Sequence, residues 1–131
     1  MSTIQMLHEV DPKEALLKQI GDSYKDFDIF NTQVLLAVYI RPEKTKGGIM
    51  LANKTRDEDR YQSKVGLILK KGPSAFVDDE GKWFNGLTIS EGDWLVFRPS
   101  DGWNLTINGV LCRMLDDTST RMRIKHPDDV Y

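Results

Sequence analysis

The sequence predicts a mainly β protein, a small barrel or sandwich, with one short helix ahead of it. Val34–Ile40 reads VLLAVYI, apolar at both alternating sets of positions, as in a strand buried on two faces. Shorter β-type runs follow at Lys64–Leu69, Trp94–Arg98, Trp103–Ile107, Val110–Leu115 and Met122–Ile124. Turn pairs punctuate them: Gly72-Pro73, Glu80-Gly81, Asn85-Gly86, Asp101-Gly102 and Asn108-Gly109. No second helical pattern interrupts the series.

The helix belongs to the first thirty residues. Asp11 suits an N-cap, Pro12 the first helical position, and Glu14 stands at capping-box spacing. Leu16, Leu17 and Ile20 are expected to share a face, Glu14 and Lys18 are an i,i+4 pair, and Gly21 ends the helix. Charge divides the chain at the same place. Residues 1–33 carry three lysines against six acids, whereas 34–131 carry 15 basic and 14 acidic groups. The expected organisation is an extension over 1–30 and a β domain with a C-terminal tail over 31–131. The extension's helix either packs on the domain or docks a partner.

Composition excludes several classes. At 131 residues there is room for one ordinary domain. A net charge of −2 argues against a dedicated nucleic-acid binder, although Trp83, Trp94 and Trp103 could offer stacking surfaces. No run of 18 apolar residues exists, so no membrane span is expected. The N-terminal residues lack the basic and long apolar regions of a signal peptide. A single cysteine, Cys112, forms no internal disulfide, which points to a reducing, cytoplasmic compartment.

Catalytic groups are not evident either. Gly66–Ser74 resembles a phosphate loop only superficially, because the glycine spacing is too long and Pro73 replaces the lysine. The pairs Asp78-Asp79, Asp116-Asp117 and Asp128-Asp129 read as solvated loop acids, and His8 and His126 as surface histidines. Cys112 reads as a small buried hydrophobe. Two histidines and one cysteine do not make a closed His/Cys zinc site. The expectation is a non-enzyme with no catalytic residue, cofactor or metal.

One segment does stand out. Residues 41–64 hold eleven charged side chains among 24, a composition expected for a mobile loop. Its middle is nonetheless Gly47-Gly48-Ile49-Met50-Leu51, three large apolar residues behind two permissive glycines. Either the triplet folds back on the β domain as a hairpin, or it is offered to another protein.

The order of motifs resembles the GroES-type co-chaperonins over about Asn31 to Leu115. That family has a first strand followed by a loop of the form Lys-X-X-Gly-Gly-Ile-(Val/Ile)-Leu, matched here by Lys44–Leu51. Its next strand is matched by Ser63–Pro73, and its roof hairpin by Asp79-Glu80-Gly81-Lys82. Its Val-X-Val-Gly-Asp-X-Val-X-Phe stretch corresponds to Leu87–Phe97, with Gly92, Asp93 and Phe97 in place, and its last motif to Ile107–Met114.

The resemblance implies a GroES-like β-barrel that caps a chaperonin ring and assists ATP-dependent folding, with ATP bound by the chaperonin. Gly47, Gly48, Ile49, Met50 and Leu51 would be the partner-binding residues. The family's seven-membered rings imply a homo-oligomer, here in the cytoplasm of a bacterial host. Burying three such side chains yields roughly 5–9 kcal/mol gross. Ordering the loop would take about 2–5 kcal/mol of that, so affinity would come from many loops acting together. Arg98–Trp103 and the C-terminal tail look most like tailed-phage homologues of that family. The alternative is therefore a virion structural protein, a capsid decoration or tail component whose partners are phage capsid proteins.

Overall fold

Six short β segments and one helix leave a single question, which segments pair. In the computed structural model, residues 6–42, 50, 56, 60 and 62–131 are described. They form β1 (Gln33–Val38), β2 (Val65–Lys71), β3 (Trp94–Phe97), β4 (Trp103–Ile107), β5 (Val110–Asp116) and β6 (Thr120–Ile124). All six join one sheet in the order β4-β5-β1-β2-β3-β6. Every neighbouring pair is antiparallel. The mainly β class is as expected. The sheet does not close into a barrel, however, because β4 and β6 are its two edges.

The reason lies in what covers the sheet. β1 is buried on both faces from Val34 to Val38, so both faces need a cover. One face gathers Leu35, Ala37, Tyr39, Leu67, Trp94 and Cys112. The other gathers Val34, Leu36, Ile68, Leu95, Phe97 and Leu115. Closure of the sheet would enclose only one of these two layers. Instead the chain folds its own segments over both. The edges mix polar and apolar side chains: Asn104 and Thr106 on β4 and Arg121 and Arg123 on β6 are exposed, and so are Trp103 and Met122.

The helix α1 (Pro12–Ile20) covers the first face. Asp11 caps it by accepting from the Glu14 N–H at 3.3 Å. Gly21 ends it at φ +64° while donating to the Leu17 carbonyl at 3.0 Å. Ile20 is fully buried in that layer and Leu16 packs against it, but Leu17 faces outward. Pro12, Leu16 and Ile20 recur every four residues along one line, and Leu17 is a step of about 100° away from it.

The segment between β2 and β3 covers the second face with Ala75, Phe76 and Ile89. Phe76 has φ +60°, an uncommon conformation for an aromatic residue. Asp117 holds it there, its carboxylate accepting from the Phe76 N–H at 2.9 Å. Asp117 is thus buried and not the solvated loop acid expected from its neighbourhood. Arg113 is buried too, its guanidinium 5.1 Å from the Phe97 ring centroid. It donates to Asn104 Oδ1 at 3.1 Å and to the Asp101 carbonyl at 2.9 Å, tying the β3–β4 turn to β5. Burial pulls its pKa down and the nearby Asp101 partly restores it.

The β4–β5 hairpin follows from its sequence. Asn108 and Gly109 adopt φ +49° and +77°, the pair of positive values that a two-residue type I′ turn demands. Gly72 serves a different purpose, close approach. A Cβ there would stand 2.3 Å from the Asn31 carbonyl oxygen and 2.6 Å from that of Phe30. Gly72→Ala is expected to destabilise the fold by about 2–3 kcal/mol, because the obstacle is backbone and cannot swing aside. The melting temperature should fall on the order of 10 °C, measured by thermal circular dichroism.

Candidate functional site

At the C-terminus, His126-Pro127-Asp128-Asp129 starts a 3-10 helix over Pro127–Val130. His126 Nδ1 accepts from the Asp128 N–H at 3.1 Å, and the His126 N–H donates to Asp129 Oδ2 at 3.3 Å. This reciprocal cap turns Asp128 inward, where it is 0% exposed. A carboxylate so buried needs donors on both oxygens. The Tyr39 hydroxyl, just beyond β1, donates to Oδ1. Oδ2 accepts from the Met6 N–H at 3.1 Å and lies 2.9 Å from His8 Nε2. Since the carboxylate is the acceptor, His8 carries its proton on Nε2 here.

Tyr39 is buried as well, edge-on to Trp94 with ring centroids 5.8 Å apart. Burial, reinforced by its bond to Asp128, drives its hydroxyl pKa upward. The hydroxyl therefore stays a donor and is no base. The arrangement binds three distant parts of the chain together, and it can also present His8, His126 and Asp128 as metal ligands. One ligand atom of each lies within 4.8 Å of the others. Beside them a cleft of about 290 Å³ runs between α1 and β1, lined by His8, Leu16, Tyr39, Arg56, Arg60 and Leu111 among others.

These positions correct two expectations. Asp128 is not a solvated loop acid, and His8 is not a surface histidine, its side chain being 15% exposed against the buried carboxylate. A signal for Asp128 does exist in the sequence. His126-Pro127 followed by two acids is a helix start with proline at N1. The acids Asp79, Asp116 and Asp129 do face solvent. Asp78 is half-buried: its desolvation is outweighed by backbone N–H donors from Phe84, Trp83 and Lys82, so its pKa is lowered. Cys112 is buried as expected, its thiol pushed up to about 11.

Of the expected partner-binding residues, Gly47, Gly48, Ile49 and Leu51 lie outside the described residues. Met50 is described and is 58% exposed. It stands at the rim of a shallow hollow with Leu7, His8, Pro42 and Arg56. The three tryptophans do not form a stacking set, since Trp94 is buried in the core while Trp83 and Trp103 are exposed.

Removing the Tyr39 hydroxyl takes one donor from a buried carboxylate. Tyr39→Phe is expected to cost about 1–3 kcal/mol at neutral pH, read by urea unfolding. The raised pKa also sets a pH dependence. The folded state holds the Tyr39 proton while the unfolded state releases it near the ordinary value of 10.0. The contribution is full below that pH and is lost as pH climbs above it. The gap between wild type and Tyr39→Phe should therefore shrink between pH 9.5 and 11, in roughly the window around an ordinary tyrosine pKa.

No protein-family model matches this chain, and no curated protein shows a significant match to it.

Proposed function

We propose that this protein is a co-chaperonin-like docking subunit. It would bind a chaperonin ring through Gly47, Gly48, Ile49, Met50 and Leu51 and cap the chamber in which other proteins fold. The observation that carries the reading is Met50. It lies on the connection between β1 and β2, two adjacent strands at the heart of the sheet, and yet is 58% exposed. Met50 shares its hollow with Leu7 and Val10, themselves 43% and 51% exposed, and an apolar cluster left open to water is the kind of surface a partner covers.

The order of sequence motifs supports the same reading, as does an antiparallel, mainly β architecture. On this proposal the subunits assemble as a homo-oligomer on a GroES-like plan, where repetition of one weak contact supplies affinity. ATP is bound and hydrolysed by the chaperonin of the bacterial cytoplasm. A second reading is favoured by Phe30 and Trp83, which are 72% and 73% exposed and lie away from the loop motif in the sequence. Those side chains suit a virion component with further contacts to capsid neighbours.

Replacing Ile49, Met50 and Leu51 together by serine separates these outcomes. The expected result is a melting temperature within about 2 °C of wild type, with capture by a chaperonin in ATP lost in sedimentation. A variant that still caps the chaperonin would overturn the assignment. So would a fall of several degrees, which would place the triplet against the fold.

A further inference from the structure

We propose that His8, His126 and Asp128 form a binding site for a divalent metal ion of the Zn²⁺ class, which joins the N-terminal segment to the C-terminal 3-10 helix. His8 Nε2 lies 2.9 Å, and His126 Nδ1 3.8 Å, from Asp128 Oδ2. Ligand atoms on a tetrahedral zinc, with bonds of about 2.1 Å, stand about 3.4 Å apart. The two observed spacings bracket that value. Side-chain shifts on the order of 1 Å bring all three atoms to bonding distance.

The donor set selects the metal. Two imidazole nitrogens and one carboxylate oxygen suit Zn²⁺, whereas Ca²⁺ and Mg²⁺ call for an all-oxygen shell. Three protein ligands leave a fourth position open, and His8 faces both the cleft beside α1 and the hollow next to Met50. Water or an outside ligand can reach the ion by that side. The outer support is already in place. Tyr39 donates to Oδ1 and the Met6 N–H to Oδ2, which fixes the plane of the carboxylate.

Binding exchanges contacts without consuming a reagent. His8 gives up its Nε2 proton, to Nδ1 where that nitrogen is free and otherwise to water, and the freed Nε2 lone pair goes to the metal. His126 Nδ1 turns its lone pair from the Asp128 N–H to the metal, giving up one neutral hydrogen bond. The buried carboxylate exchanges the His8 hydrogen bond for a directly bonded cation. Cys112 does not compete, because it is buried with its thiol held protonated.

The test uses the full chain stripped with a chelator and titrated with ZnCl₂ against a chromophoric competitor. The expected result is one saturable equivalent with roughly micromolar or tighter affinity, and a melting temperature that rises with free Zn²⁺. His126→Ala, at a partly exposed position, should weaken binding at least about 100-fold, and Tyr39→Phe about 10-fold through the outer support. The chain has only two histidines, so imidazole ¹⁵N spectra of the wild type need no variant. Metal at His8 Nε2 and His126 Nδ1 should shift both rings. Unmoved rings, no saturable binding, or a His126→Ala chain that binds as tightly as wild type would each overturn the site.

Discussion

β1 is apolar on both of its faces, and a sheet built around such a strand cannot leave either face to water. Val34 and Leu36 point one way, Leu35 and Ala37 the other, and all four are fully buried. With β5 and β2 on its two sides, β1 stands well inside the sheet. The rest of the chain is disposed to cover the two faces. Helix α1 and the C-terminal Val130 and Tyr131 pack over one, and the β2–β3 segment folds over the other. An open, doubly covered sheet is the outcome.

Covering a sheet with terminal segments has a weakness, since chain ends fray unless something ties them down. Two buried carboxylates supply the ties. Asp117 holds the β2–β3 cover through the Phe76 N–H, and Asp128 joins the Met6–His8 segment and the 127–130 helix to Tyr39. Each carries a high cost if a donor is lost, because a buried charge with an unfilled lone pair has no solvent to turn to. The same property makes each tie specific. A segment that moved away would leave its carboxylate short of a donor.

β1 and β2 pair over most of their lengths, so whatever lies between them is carried on a firm base. Met50 and His8 stand near each other at the rim of one hollow. The segment proposed to dock a partner is therefore adjacent to the segment tied down by Asp128. Loosening that tie would disturb the base of the proposed docking segment, although the two roles rest on different residues.

Local patterns in the sequence were sufficient for α1 and the six strands, though not for the 3-10 helices at Asp117–Ser119 and Pro127–Val130. The bounds of α1 follow from Asp11, Pro12 and Gly21, and the Asn108-Gly109 turn from the positive φ it requires. The strands follow from runs that need burial, because each depends on side chains within a few positions of one another. What the runs do not encode is which strands become edges, so the sequence alone was compatible with a closed barrel. The Asp128 cluster was likewise out of reach: its bonds to Met6 and His8 span 122 and 120 positions. Two acids after a proline mark a helix start, but they look the same whether or not such partners arrive. Their arrival was decided by the tertiary fold, which brought Met6, His8 and Asp128 together beside Tyr39 and left there a buried charge that needs partners.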